Sequence, residues 1–422
     1  MKYSALKGVQ DIMPPDIYIW QRIESSAKQI FHNYGFQEIR LPIIESTDIF
    51  VRSIGETSDI VGKEMYTFPD KANRSVTLRP EGTACAVRCY VEHNLRTLPS
   101  PQKFFYTGPM FRYERPQKGR FRQFYQIGVE AFGSAEPSQD AEIIVMLKRF
   151  LEQIGIRELT FEINSIGDEA CRPGYRNALL AFFGDRIKEF CPDCQNRYLA
   201  NPLRILDCKV ERCIELRQGA PAMTDYLCDD CRKHFEELLS MLQMMNIRYT
   251  INPNLVRGLD YYTRTAFEVT SEHLGAQKAV AAGGRYDGLV KEFGGPDTPA
   301  IGFAIGMERL AALLKETSKE QVPGPKAFIA TLGREAEREG FNIAETLRQK
   351  GHHVEENYGE ASLKSQLRKA DRIGAELAII IGENELKEGK IQWKNLRNGE
   401  HGTVQIDDIL SILTNTIKLS HP

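Results

Sequence analysis

Apolar positions along residues 16–34 recur at helical spacing, with Ile17, Trp20, Ile23, Ala27, Ile30 and Phe31 falling on one side. The pattern predicts an amphipathic helix that ends at Gly35, a residue suited to the turn beyond a helix C-terminus. From Gly35 to Glu45 the period shortens to two, which predicts a strand. Pro42 has no N–H to give a sheet ladder, so that strand belongs at an edge or a bulge. Residues 139–154 return to helical spacing. Strand-type and helix-type segments are interleaved here without a strict βαβ rhythm. An antiparallel sheet surrounded by helices therefore fits better than a doubly wound one, and the first fold class is α+β.

From residue 168 to about 250 the chain turns helical, polar and cysteine-rich, which reads as an insertion. Strand signals resume at Arg248–Ile251 and Ala266–Thr270. Gln321-Val322-Pro323-Gly324-Pro325 reads as a linker. Beyond it the rhythm changes. Residues 328–332 suit a strand, 335–350 a helix, 353–355 a strand, 362–373 a helix and 377–381 a buried strand. That alternation predicts a separate small α/β domain, with the division at 1–325 and 326–422.

Composition narrows the reading. The 422 residues suffice for two or three domains with cores. With 55 Lys and Arg against 57 Asp and Glu, the net charge of −2 excludes a wholesale polyanion binder and leaves room only for local basic patches. No apolar run is long enough to cross a bilayer. Residues Met1–Gly8 lack an apolar signal core, so a cytoplasmic location is expected. In that compartment the nine cysteines are expected to be thiols rather than disulfides.

The stretch from Arg79 to Glu130 is the richest in candidate chemistry. It opens with Arg79-Pro80-Glu81-Gly82-Thr83. It then runs through Phe111-Arg112-Tyr113-Glu114-Arg115-Pro116-Gln117-Lys118-Gly119-Arg120-Phe121-Arg122-Gln123-Phe124-Tyr125-Gln126. Cations alternate with aromatics, Pro116 and Gly119 break the run, and strand-type residues flank the break. The pattern predicts a β-hairpin with a long basic loop. Guanidinium groups there could grip phosphate oxygens, and aromatic faces could stack on a base. A basic loop alone is most often a solvated surface. Beside a Glu-Gly-Thr cluster suited to an ammonium group, it suggests one site for a nucleotide and an amino acid.

Three other segments carry alternatives. Leu255–Thr265 offers Gly258 for close backbone approach and Arg257 as a permanent cation, or is a turn with a surface arginine. Ala281–Gly288 places Gly283 and Gly284 before Arg285-Tyr286-Asp287, suited to a tight wall or to a common turn. Pro299–Leu310 reads as a strand running into a helix, with Arg309 placed to reach a triphosphate or to pair with a nearby glutamate. Cys191-Pro192-Asp193-Cys194 and Cys228-Asp229-Asp230-Cys231 have the spacing that zinc favours, with Cys208 and Cys213 between them. They make a structural zinc site at Cys191, Cys194, Cys228 and Cys231, or are reduced cysteines of a helical subdomain. The histidines are scattered, and His352-His353 suits a surface role.

These segments resemble the bacterial histidyl-tRNA synthetases, of the class II aminoacyl-tRNA synthetases, over nearly the whole chain. Residues 35–68 are similar to motif 1 around Pro42, 105–130 to motif 2 and 299–312 to motif 3. Leu255–Thr265 and Ala282–Asp287 are similar to the segments particular to the histidine enzymes. The region from about Lys326 resembles the anticodon-binding module, and residues 168–250 fall where members differ most.

The resemblance implies an antiparallel sheet of six or seven strands that condenses histidine with ATP and releases pyrophosphate. It implies that Glu81 and Thr83 hold the ammonium group, with Gln126, Glu130, Tyr261 and Tyr262 around the amino acid and its imidazole. Arg112 would clamp the α-phosphate and carboxylate, Glu114 would also contact ATP, and Arg309 would take the γ-phosphate. Arg257 would stabilise the transition state together with Mg2+. The histidyl group would then pass to tRNA(His), and a homodimer is implied. Two other readings stand beside this one. One is a non-catalytic histidine-sensing regulatory paralogue of histidine biosynthesis, which typically lacks the anticodon domain and degrades the arginine-bearing segments. The other is a nucleic-acid-binding module without chemistry.

Overall fold

The computed structural model describes residues 3–55, 60–114, 120–256, 261–274, 278–317 and 324–409. They form two compact units, Met1–Glu320 and Gln321–Pro422.

In the first unit, α1 (Asp16–Asn33) buries Ile19, Trp20, Ile23, Ala27 and Phe31. Gly35 follows with φ of +81°, a left-handed backbone that costs glycine no Cβ clash. The strand predicted over 35–45 is divided. β1 (Gln37–Glu38) joins the large sheet, whereas β2 (Ile44–Ser46) joins a small one. Proline at 42 cannot continue a ladder, and buried Arg79 secures the stretch between. Its Nη1 donates to the Leu41 carbonyl at 2.9 Å and its Nε to the Pro109 carbonyl at 2.9 Å. α2 (Thr47–Ile54) leads to β3 (Tyr66–Pro69) and β4 (Ser75–Leu78), and the small sheet is antiparallel in the order β2-β4-β3.

Next come α3 (Thr83–Glu92), the hairpin strands β5 (Gln102–Phe111) and β6 (Gln123–Phe132), α4 (Pro137–Gln153) and β7 (Thr160–Ser165). The insertion is helical: α5 (Arg172–Gly184), α6 (Pro192–Ala200), α7 (Glu211–Leu216) and α8 (Asp229–Met244). β8 (Tyr249–Ile251), β9 (Thr263–Thr270), β10 (Ala279–Arg285), α9 (Leu289–Glu292), β11 (Ala300–Gly306) and α10 (Met307–Thr317) complete the unit. The large sheet has eight strands in the order β1-β5-β6-β11-β10-β9-β7-β8. Its six central strands are antiparallel, while the short edges β1 and β8 pair parallel to β5 and β7. Those edge pieces raise the count above the six or seven implied by the resemblance.

A buried ionic knot lies among these elements. Arg285, fully buried in β10, donates from Nε to both Asp140 oxygens at 2.8 and 3.1 Å. Its Nη1 donates to Asp287 at 2.9 Å and its Nη2 to the Ser134 carbonyl at 2.8 Å. Asp140 also accepts from Thr265 Oγ1 at 2.6 Å and lies 2.8 Å from His234 Nε2. A buried charge is tolerable only when paired this fully. The knot fixes α4, α8, β9 and β10 to one another, and so anchors the insertion to the sheet.

The second unit holds β12 (Ala327–Thr331), α11 (Arg334–Gln349), β13 (Val354–Glu356), α12 (Leu363–Arg372), β14 (Leu377–Ile381), α13 (Glu383–Glu388), β15 (Lys390–Asn395) and β16 (His401–Gln405). Its sheet order is β13-β12-β14-β15-β16, parallel through β14 and antiparallel beyond. β12 alternates as a two-sided strand must: Ala327 and Ile329 enter one core, and Phe328 and Ala330 the other. Among the described residues, no helix is long and apolar enough to cross a membrane.

Candidate active site

The site forms where the N-terminus of α3 meets the face of the β5–β6 hairpin. Glu81 turns back on its own helix, accepting the backbone N–H of Thr83 at 2.7 Å and of Ala84 at 2.8 Å. This satisfies two of the orphan donors at a helix start and aligns Thr83. Thr83 Oγ1 then donates to Glu130 Oε1 at 2.8 Å. Glu130 is buried in β6, and the Tyr106 hydroxyl donates to the same oxygen at 2.9 Å. The Tyr286 hydroxyl donates to Oε2. Burial drives Tyr106 and Tyr286 far above the usual phenol range, so both keep the proton they donate.

Glycines make this packing possible. A Cβ at Gly82 would lie 2.2 Å from the Tyr106 ring, and one at Gly128 would lie 2.1 Å from it. A Cβ at Gly302 would meet Glu130 Oε2 at 1.9 Å. Close approach of backbone to side chain is the reason for glycine at these three positions.

Electrostatically the site has two ends. At the acidic end, desolvation pushes the Glu130 carboxyl up to about 8, against the three hydroxyl donors that favour its ionised form. Burial raises Glu81 as well, opposed by the N–H groups of Ala84 and Thr83. Gln126 Oε1 is buried nearby with no hydrogen-bond partner. At the basic end, Arg112 Nε donates to the Pro80 carbonyl at 2.8 Å. Arg120 lies 3.1 Å from Glu114, and Arg309 donates to the Ala279 carbonyl. Burial, with Arg120 next, depresses the Arg309 guanidinium. Glu308 accepts the Tyr125 N–H at 2.9 Å, and burial lifts its carboxyl to about 7.

A cavity of about 290 Å³ joins the two ends. Glu81, Thr83, Arg112, Glu114, Gln126, Tyr261, Tyr262 and Arg309, all singled out above, line it. Glu130 sits beneath the wall, one hydrogen bond away through Thr83. Arg257 and the loop residues 115–119 lie outside the described residues. Sequence reasoning assigned no role to Tyr106, Tyr286, Glu268 or Glu308. Tyr286 stood inside a quoted segment, but nothing in its spacing shows that it reaches Glu130. In that segment Arg285 turns away from the cavity into the ionic knot.

The cysteine pairs do not meet as their spacing suggested. Cys191 and Cys194 gather with Cys208 and Cys213, whereas Cys228 and Cys231 gather with Cys171 and Asp168. The first pair opens α6 and the second opens α8, and other stretches of the insertion supply the partners of each.

The antiparallel sheet that carries this cavity is the fold of the class II aminoacyl-tRNA synthetases, as the comparisons with known proteins show. The profile described as Histidyl-tRNA synthetase matches residues 8–167 and 199–310, and the profile described as Anticodon binding domain matches 326–416. The chain belongs to the histidyl-tRNA synthetase family. A histidine--tRNA ligase of Thermodesulfovibrio yellowstonii is 54% identical over 413 residues, spanning 98% of each chain. One of Trichlorobacter lovleyi is 49% identical, over 96% of this chain and 97% of its own. The structure of S. aureus histidyl-tRNA synthetase superposes with a TM-score of 0.83 at 40% identity, covering 97% of this chain and 99% of that one. An ATP phosphoribosyltransferase regulatory subunit/histidyl-tRNA synthetase from Bacillus halodurans shares the fold, with a TM-score of 0.65 at 19% identity over 90% of this chain and 98% of its own.

Proposed function

We propose that this chain activates histidine with ATP and passes the histidyl group from the adenylate to the terminal ribose of tRNA(His). The observation that carries the reading is the company of both signs in one cavity: Glu81, Thr83 and Gln126 line it together with Arg112 and Arg309. An amino acid presents a cation and a carboxylate, and ATP presents phosphates. The bipolar cavity suits both together.

In the activation step an oxygen of the histidine carboxylate attacks the α-phosphorus. A new O–P bond forms, the bond to the bridging oxygen breaks, and pyrophosphate leaves with the electron pair. The substrate is its own nucleophile, so the protein contributes positioning and electrostatics. Glu81 and Thr83 receive the ammonium group, and Gln126, whose Oε1 is a ready acceptor, stands beside the amino acid. Glu130, Tyr261 and Tyr262 surround the imidazole. An analogue without ring nitrogens would leave the polar groups that pair with the imidazole unsatisfied, a basis for rejection by orders of magnitude. Arg112 clamps the α-phosphate and carboxylate, Glu114 contacts ATP, Arg309 takes the γ-phosphate, and Arg257 stabilises the pentavalent phosphorus. Glu114 and Glu268, oxygen donors on the wall, would hold Mg2+, which supplies charge neutralisation of the phosphates when bound.

Residues 1–325 then form the catalytic domain and 326–422 the anticodon-binding domain, in a cytoplasmic enzyme. Ile43, Ile44 and Phe68, exposed on or beside the small sheet, support a homodimer interface in the motif 1 region. The presence of Arg112 and Arg309 on the cavity, and of the second unit, weighs against a histidine-sensing paralogue. Incubation with ATP, labelled histidine and tRNA tests the reading. Label on tRNA(His), dependent on ATP, is expected, and none with histidine still bound would favour the sensor.

A further inference from the structure

We infer that the helical insertion holds two structural zinc ions, one in Cys191, Cys194, Cys208 and Cys213 and one in Asp168, Cys171, Cys228 and Cys231. Seven of the nine cysteines fall in these clusters, and only Cys85 and Cys89, on α3, stand apart. None of the nine is in a disulfide. Within each cluster the four candidate ligand atoms lie within 4.8 Å of one another. A tetrahedron with zinc–sulfur bonds of about 2.3 Å has sulfur–sulfur edges of about 3.8 Å. Cys191 Sγ and Cys208 Sγ are 3.8 Å apart, and Cys228 Sγ is 3.9 Å from Asp168 Oδ1.

The local scaffold suits thiolate ligands. Cys171, Cys191 and Cys228 each precede the first residue of a helix, α5, α6 and α8, where exposed N–H groups favour a thiolate. Cys194 and Cys231 follow one turn on, the knuckle spacing of zinc sites. Backbone N–H groups hold the remaining ligands in place. That of Cys191 donates to Cys213 Sγ at 3.3 Å, and that of Cys228 to Cys171 Sγ at 3.1 Å. The Ala170 N–H donates to Asp168 Oδ1 at 3.1 Å. Such outer contacts orient metal ligands. Cations stand beside both clusters to offset the excess negative charge: Arg217 donates to the Cys208 carbonyl at 3.2 Å, and Arg264 lies 3.6 Å from Asp168.

Thiolate-rich four-ligand sets select zinc over hard cations. Four closed ligands leave no open position, so both sites are structural. They also do separate work. The all-cysteine site ties the start of α6 to the loop around Cys208 and to α7. The mixed site ties the exit of β7 to the start of α8, whose His234 reaches the ionic knot at Asp140.

Elemental analysis and native mass spectrometry of the full chain, purified without added metal or chelator, test the assignment. About two zinc ions per chain are expected, with about one left in Cys194→Ser and about one in Cys231→Ser. A single zinc lost in both variants would overturn the two-site arrangement in favour of one shared site. Iron with sulfide, or a metal-free folded chain whose insertion thiols all react freely, would overturn it outright. Should the variants fail to fold, cobalt(II) replacement in the unaltered chain decides. Two cobalt ions with thiolate charge-transfer and tetrahedral bands support the sites, and their absence overturns them.

Discussion

Thr83 Oγ1 donates to Glu130 Oε1 across 2.8 Å, joining the first residue of α3 to the C-terminal part of β6. The bond places the carboxylate expected at the imidazole next to the residues expected at the ammonium group. Glu130 is otherwise enclosed by the hydroxyls of Tyr106 and Tyr286, and burial outweighs all three donors in setting its proton affinity.

That balance gives the free protein a pH signature. The folded carboxyl titrates near 8 and the unfolded one near its ordinary 4.5, so the folded state holds the proton more tightly. The stability contributed by Glu130 is full below the unfolded value and is lost as pH rises through the folded one. Without histidine, the unaltered chain should therefore lose Tm relative to Glu130→Gln between about pH 5 and 8. Thermal midpoints of both proteins over that range check this, and parallel curves would remove the shift.

Tyr106 is wedged between Gly82 and Gly128, with no room for a Cβ on either side. Gly128→Ala should displace the ring, cost about 1–3 kcal/mol of stability as overpacking does, and raise the KM for histidine. Tyr106→Phe removes the hydroxyl alone and should raise that KM with a smaller loss of stability. Urea unfolding and exchange kinetics on the two variants separate shape from hydrogen bonding. An unaltered Gly128→Ala would contradict the packing.

Asp140 is the only carboxylate whose both oxygens reach the buried Arg285 among the described residues. Asp140→Ala removes the acceptor of Arg285 Nε and of His234, leaving Asp287 as the carboxylate on that guanidinium. A loss of about 3–5 kcal/mol is expected, the range for breaking a buried pair from one side. Chemical denaturation measures it, and a loss below about 1 kcal/mol would mean that the knot carries little of the fold.

Arg257→Ala should lower the activation rate roughly 100-fold, as loss of one preorganised transition-state donor does, while Tm and ATP affinity stay near those of the unaltered chain. Arg309→Ala should act chiefly on the KM for ATP. Presteady-state adenylate formation distinguishes the two, and an Arg257→Ala chain of normal rate would sink its role.

Periodicity made some of this legible. The stripe of α1, the helix α4 and the strand–helix alternation after residue 326 are local patterns, readable because burial follows the helical or strand period. Where a proline interrupts alternation, at Pro42, the pattern shows a strand but not that its halves join different sheets. A joint nucleotide and amino-acid site was legible in the Glu-Gly-Thr cluster and the basic loop, but not its full lining, since Glu81, Gln126 and Arg309 come from a loop, a strand and a helix far apart in the chain. Tyr106 and Tyr286 look like ordinary strand aromatics until the fold brings their hydroxyls to Glu130. The cysteines divide in the same way. Each knuckle is visible in the sequence, but its partner depends on chain path, and Cys171 lies 57 residues before Cys228.

The most direct test of the central claim is ATP–pyrophosphate exchange without tRNA, run with each of the twenty standard amino acids in turn. Exchange with histidine alone is the expected result, since only the imidazole of histidine would pair with the polar groups proposed to surround the side chain. Exchange with a different amino acid would overturn the pocket residues, and no exchange with any of them, histidine still binding, would contradict the account as a whole.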